Sequence, residues 1–215
     1  MKPLKTILLL LLCTGGAFAQ YSVRAGMGIS FLDAPSLIDY INENYAPANQ
    51  QLASFSSAIN FNGEFDYSIN KTYQVGIDFN YFLNSYNFSS INGIYKMDYN
   101  ILMPTLVNYY VISGNGYSFK FGGGIGPRFV SVNEQLPATP SATNYKSTGF
   151  GFLARADGNT LLSGNLFANI GVDFKYDING KPASAGKYLV NPATNQNVNF
   201  NMFSVVVRLG VTYTF

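Results

Sequence analysis

The sequence predicts an all-β fold: an eight-stranded antiparallel up-and-down transmembrane β-barrel with short periplasmic turns and longer extracellular loops. Three observations predict it. Eight segments alternate apolar and polar residues with period 2, the mark of strands whose two faces meet different surroundings. Tight-turn sequences and long polar stretches take turns between those segments, as the two rims of a membrane barrel require. The last segment runs to the final residue and ends on an aromatic side chain, Phe215.

The first residues read as a leader. Lys2 and Lys5 flank the start of an apolar run from Ile7 to Leu12, and Ala17-Phe18-Ala19 supplies a small-x-small cleavage site. Residues 1–19 are expected to be a cleaved signal peptide and 20–215 the outer-membrane β-barrel domain. The run is too short to cross a bilayer as a helix. Cys13 does not make a lipoprotein signal, because the bulky Leu12 precedes it.

In the first strand Tyr21, Val23, Ala25, Met27, Ile29 and Phe31 alternate with Ser22, Arg24, Gly26, Gly28 and Ser30. The second sets Ile59, Phe61, Gly63, Phe65 and Tyr67 against Asn60, Asn62, Glu64, Asp66 and Ser68. In the third, Val75, Ile77, Phe79, Tyr81 and Leu83 oppose Gln74, Gly76, Asp78, Asn80 and Phe82. The fourth places Tyr95, Met97, Tyr99, Ile101, Met103, Val107 and Tyr109 on the apolar face, opposite Lys96, Asp98, Asn100 and Asn108. Pro104 within it cannot donate to a ladder, so a bulge or an unpaired neighbour is expected there.

The fifth strand has Tyr117, Phe119, Phe121, Ile125 and Phe129 opposite Lys120, Gly122, Gly124, Gly126 and Arg128. Its glycine run has neither the Lys-Ser/Thr pair nor the following helix of a phosphate loop. Small residues making room in the lumen, or a bend before Pro127, explain it. The sixth is weaker, with Phe150, Phe152, Ala154 and Ala156 against Gly149, Gly151, Leu153 and Arg155. The seventh sets Leu166, Ala168, Ile170, Val172, Phe174 and Tyr176 against Asn169, Gly171, Asp173 and Lys175. The eighth alternates Phe203, Val205, Val207, Leu209, Val211, Tyr213 and Phe215 with Ser204, Val206, Arg208, Gly210, Thr212 and Thr214.

Short turns are expected at Asn70-Lys71, at 113–116 and around Asp157-Gly158-Asn159, each with the Gly/Asn/Asp chemistry of tight hairpins. Longer loops are expected at 32–54, 85–94, 132–147 and 178–198. An even strand count puts both termini on the short-turn, periplasmic side. In the first loop, Ser36 and Asp39 suggest a cap-like start to a short helix from Leu37 to Tyr45. Leu37, Ile38, Tyr40 and Ile41 are apolar enough to pack on the rim or to meet a partner. Asp177-Ile178-Asn179-Gly180 begins like a calcium loop but lacks the later Glu, and reads as a polar hairpin.

A soluble eight-stranded barrel also alternates, but keeps its charges outside. Here every charge assigned to a strand shares the polar face: Arg24, Glu64, Asp66, Asp78, Lys96, Asp98, Lys120, Arg128, Arg155, Asp173, Lys175 and Arg208. The apolar face collects aromatics at both ends. Tyr21, Tyr67, Tyr73, Tyr109, Tyr117, Tyr213 and Phe215 are assigned to a periplasmic belt, and Phe31, Tyr81, Tyr95, Phe129, Phe150, Tyr176 and Phe203 to an outer one. Two belts around an aliphatic band match a bilayer with its interfaces.

Composition narrows the function. There are 13 Lys plus Arg against 11 Asp plus Glu, one Cys and no His. Loss of Lys2 and Lys5 with the leader leaves the signs equal, so no nucleic-acid partner is implied. Without His or a mature Cys, most hydrolytic triads and thiolate or imidazole metal sites are unavailable. No catalytic, cofactor-binding or metal-ligating residue is expected, and no enzyme.

The chain from the first strand to the terminal Val211-Thr-Tyr-Thr-Phe215 resembles the small outer-membrane barrels of the OmpA/OmpX-like kind, the outer membrane protein beta-barrel domain family. Its low charge with abundant Asn and Tyr is similar to Bacteroidetes-type members. The resemblance implies residence in the cell outer membrane. It implies outer-membrane lipid, the barrel-assembly machinery and periplasmic chaperones as partners, with Leu209, Val211, Tyr213 and Phe215 as the assembly signal. Extracellular loops would offer a contact surface. An eight-stranded barrel is just wide enough for its side chains to fill, and buried charges must pair. The expected function is therefore an integral outer-membrane barrel with a plugged, salt-bridged lumen and a structural or surface-contact role. The alternative is a narrow pore, or a lateral conduit for small solutes or hydrophobic molecules.

Overall fold

The computed structural model describes residues 21–90 and 93–215; the expected leader at 1–19 lies outside the described residues. Eight long strands close into one barrel: β1 (Tyr21–Asp33), β2 (Ser56–Ser68), β3 (Tyr73–Ser90), β4 (Gly93–Gly114), β5 (Tyr117–Gln135), β6 (Thr143–Ser163), β7 (Leu166–Ile178) and β12 (Met202–Thr214). Sequence neighbours pair antiparallel, and β12 joins β7 on one side and closes on β1 on the other, from Ser22 opposite Thr214 to Asp33 opposite Phe203. Closure removes the sheet edges that hydrocarbon would leave unsatisfied. A helix α1 (Pro35–Asn44) follows β1. Two small ribbons, β8 (Ala183–Ser184) with β9 (Lys187–Tyr188) and β10 (Val190–Asn191) with β11 (Gln196–Asn197), fill the last loop.

The barrel is apolar outside and polar inside. Outward Met27, Leu106, Ile170 and Leu209 are 55–63% exposed, and such side chains cover the wall between the rims. Water does not tolerate an apolar surface of that extent, whereas lipid does. Tyr73, Tyr117, Tyr213 and Phe215 stand outward at the short-turn rim. Phe31, Tyr81, Phe129, Phe150, Tyr176 and Phe203 do so toward the other.

Strand β4 is turned over relative to the expectation. Tyr95, Met97, Tyr99, Ile101, Met103, Val107 and Tyr109 are buried in the lumen. Lys96 and Asp98, expected inside, lie on the outer surface with side chains 47% and 41% exposed, paired to each other at 2.9 Å. The reason is the length of the strand. Its upper half rises beyond the outer belt, where water bathes the outside and an apolar cluster fills the inside. A period of 2 then fixes the phase of the lower half. Tyr95 and Tyr109 therefore leave the belts, and Tyr110 and Ile112 face outward in their place.

The rims differ as well. The expected loop at 85–94 is largely strand, because β3 runs to Ser90 and β4 starts at Gly93. Strands β5 and β6 likewise extend into 132–147. The turn expected at 157–159 is also strand: β6 continues to Ser163, and Ser163 faces Leu166 across a two-residue turn. Its Gly and Asn chemistry serves a ladder there, with Asp157 and Asn159 buried on the inner face. Turns at 69–72 and 115–116 match the expectation.

At Pro104 the β4–β5 ladder stops after Leu102–Phe129 and resumes at Leu106–Ile125. That register sets Pro104 opposite Pro127, two residues with no amide hydrogen to exchange. The glycine run beside it is ordinary strand. A Cβ on Gly122 would lie 1.9 Å from the Asn108 carbonyl oxygen and one on Gly126 2.0 Å from that of Pro104. The run lets β4 and its inward Tyr109 press against β5.

Candidate functional site: the barrel interior and its cap

Ten of the twelve strand charges expected inside are there, and three further carboxylates join the interior. Within the membrane band stand six cations (Arg24, Lys120, Arg128, Arg155, Lys175, Arg208) and six anions (Glu64, Asp66, Asp78, Asp157, Asp173, Asp177), all buried. Each belongs to at least one ion pair. Arg155 is the hub: its guanidinium reaches Asp173 at 2.8 Å, Asp78 at 2.9 Å and Glu64. Arg208 joins Asp157 at 2.6 Å to Asp173 at 3.0 Å, and Arg24 joins Asp157 to Glu64. Lys120 pairs with Asp66 at 3.0 Å toward the periplasmic end, and Arg128 pairs with Asp177 toward the outer one. Planar guanidinium forks suit such bridging, since each can engage two carboxylates at once.

Glycines make the space. A Cβ on Gly171 would fall 2.0 Å from an Asp157 carboxylate oxygen, and one on Gly151 2.4 Å from the Arg128 Nε. Hydroxyls complete the lattice: Tyr109 donates to Glu64 at 2.8 Å and accepts from Arg155 at 2.9 Å. Lys175 donates to the Asn80 side-chain Oδ1 at 3.0 Å. Arg128 also donates to the carbonyls of Gly126 and Pro127, at 3.2 and 3.1 Å, beside the two facing prolines.

Above this lattice the interior changes character. Leu32, Phe82, Tyr99, Ile101, Met103, Val130, Val132 and Met202 form an apolar cluster with Leu37, Tyr40 and Ile41 of α1. The helix therefore plugs the barrel mouth, deeper than the rim position expected for it. It begins at Pro35, whose fixed φ suits a first helical turn, and its N-cap Ala34 makes no side-chain cap bond. Ser36, expected as a cap, instead accepts the Asn199 amide at 3.1 Å. Asn44 and Glu43 bind the Asn191 side chain at 2.8 and 2.7 Å, so the last loop holds the helix down. A polar hollow of about 230 Å³ remains between them, lined by Asp39, Glu43 and Asn197.

One carboxylate serves the cap. Glu134, five residues beyond Phe129 and roughly 12 Å above the outer belt by strand rise and tilt, accepts the hydroxyls of Tyr40 and Tyr95. The Tyr45 ring stacks on Tyr95 with centroids 3.8 Å apart and planes within 8°. Burial pushes the Glu134 carboxyl above its usual range, and the two tyrosine hydrogen bonds pull it partly back. Burial raises both hydroxyls too, so they remain donors.

Asp157, Asp177 and Glu134 escaped the sequence reading, although parity marks them. Asp157 shares the phase of Arg155, Asp177 that of Lys175, and Glu134 that of Arg128. Leu209, Val211, Tyr213 and Phe215 all face outward on β12, the last two rings edge to face at 5.0 Å.

No protein-family model and no curated protein matches the chain. Solved structures do. A major outer membrane protein from Thermus thermophilus is 15% identical, with a TM-score of 0.56 over 93% of this chain and 100% of that one. Ail, the attachment invasion locus protein of Yersinia pestis, in complex with the heparin analogue sucrose octasulfate, is 13% identical at 0.55 over 92% and 99%. Neisserial surface protein A is 13% identical at 0.53 over 91% and 97%. Identity this low speaks for fold, and the fold is the closed eight-stranded antiparallel β-barrel of outer-membrane proteins.

Proposed function

We propose that the chain is an integral outer-membrane protein whose lumen is closed, serving a structural or surface-contact role through its extracellular end. One observation carries the reading: six cations and six anions cross-link the lumen in pairs beneath an apolar plug. A conducting path needs a continuous wetted or ion-coordinating route along its length, and a lattice of buried, mutually paired side chains beneath an apolar plug closes that route. Ser30 and Asn60 lie between lattice and plug with side-chain atoms that meet no protein partner, a setting for isolated bound water. Surface contact is favoured by four strands standing above the outer belt, and by analogy with the attachment protein Ail, a warrant of fold alone. The outward residues Leu209, Val211, Tyr213 and Phe215 would be the assembly signal. In planar bilayers at moderate voltage, the refolded protein is expected to give no discrete conductance steps; reproducible channel events would overturn the closed lumen.

The cap carries its own pH dependence. A carboxyl whose folded-state titration lies above its unfolded one contributes stability in acid, and that contribution is lost as pH rises through the raised titration. Helix α1 should therefore be held most firmly in acid below the ordinary carboxylate range and loosen as pH rises through the raised Glu134 titration. Amide hydrogen exchange at 37–41, corrected for intrinsic rates, is the measurement. Both tyrosines donate to one Glu134 oxygen, so Glu134→Gln keeps the acceptor while removing the titration and should flatten the profile; an unchanged slope in that variant would assign it elsewhere.

A further inference from the structure

The outer wall carries one feature that a monomer in lipid does not explain. Between the two aromatic belts, among the described residues, Asn108 is the only polar side chain on the lipid-facing surface. It is exposed there and makes no side-chain hydrogen bond within the described chain. It lies two residues inside the belt residue Tyr110 on β4, beyond easy reach of interfacial water for so short a side chain. Its position is forced: β4 keeps one phase from Tyr95 to Tyr109, so inward Val107 and Tyr109 leave Asn108 outward. Acyl chains offer neither donor nor acceptor, and an unsatisfied amide in hydrocarbon is costly.

The surroundings of Asn108 are shaped for close approach. Across the ladder it faces Val75 on β3 and Gly123 on β5, and Gly123 faces Ala154 on β6. The wall there is low. Small residues beside a membrane-embedded amide are the features that bring protein surfaces together in lipid, where packing and hydrogen bonds act without a hydrophobic driving force.

The geometry points to self-association: two copies of this chain meeting through the β4–β5–β6 wall, with the two Asn108 carboxamides hydrogen-bonded to each other. Three considerations select a second copy as the occupant. A carboxamide carries both donor and acceptor, so it is its own complement. Copies inserted with the same orientation place Asn108 at the same depth. A two-fold axis along the membrane normal then brings like residue to like, as an isologous interface requires. The occupant must be protein, because lipid tails at that depth cannot satisfy an amide.

The test uses the refolded chain in phosphatidylcholine vesicles, labelled through Asn87→Cys on the exposed upper part of β3, in a Cys13→Ser background. Energy transfer between donor- and acceptor-labelled copies should exceed that of randomly dispersed barrels and rise with protein-to-lipid ratio. Asn108→Leu should weaken the association about tenfold, the scale of an interhelical side-chain hydrogen bond in lipid. Its heat-modifiable mobility on gels should be unchanged, which separates lost association from lost folding. Without the label site, Asn108→Cys should cross-link under mild oxidation while Val211→Cys, on the far wall, should not. Transfer at the random level for the parent protein, equal transfer in the folded leucine variant, or equal cross-linking at both sites each overturns the proposal.

Discussion

Replacing Arg155 with leucine is expected to cost the barrel about 3–5 kcal/mol, the scale of breaking a buried pair by removing one partner. Its three carboxylate partners would not suffer equally. Glu64 keeps Arg24, and Asp173 keeps Arg208 and Lys175, but Asp78 loses its one ion pair among the described residues while fully buried. Most of the loss should come from that stranded charge. Adding Asp78→Asn to the leucine variant should accordingly recover more than half of it, because the amide removes the charge and retains hydrogen-bonding atoms. Arg155→Lys should fall between, a point charge being unable to fork across three acceptors. Urea unfolding in lipid vesicles, followed by tyrosine fluorescence, reads all three. A loss below about 1 kcal/mol for the leucine variant, the worth of an exposed pair, would mean that water reaches the lattice and the lumen is not closed.

How much of this was legible depends on the strand. β1, β7 and β12 alternate cleanly between large apolar and polar residues, so period 2 fixed both their existence and their faces. β4 defeated the same rule. From Leu102 to Ile112 it is apolar at nearly every position, and the only charges that mark its parity, Lys96 and Asp98, stand above the bilayer. Charge points to the lumen only where the outside is hydrocarbon; where a strand rises into water, the same charge belongs outside. Nothing local marks that crossing. Asp157 was lost for a related reason: Asp-Gly-Asn is strong turn chemistry, yet pairing with β5 and β7 on both sides carried the strand through it. The apolar face of α1 was visible at spacing 37, 38, 40 and 41, but its seat was not. Depth in the mouth depends on Tyr95, Val132 and Phe200, contributed by three distant segments.

Replacing Ile41 with aspartate should expel α1 while leaving the barrel closed below it. Ile41 is fully buried in the apolar cluster, and a carboxylate there would find no cation within the cluster. Burying it unpaired costs more than a single short helix gains from docking, so the helix leaves. Among the described residues the ionic lattice shares no ion pair with α1 and occupies a lower level of the barrel, on strands that it partly shares with the plug, which makes the two closures separable in energy. Amide exchange at 37–41 should rise by at least a hundredfold, and proteolysis should open the stretch 45–55. The heat-modifiable gel shift should persist, and Ile41→Leu should behave as the parent does. Conductance then discriminates between the layers. A silent Ile41→Asp barrel means that the lattice alone closes the lumen. Steps in that variant would instead make the plug the seal and the lattice a brace for the wall.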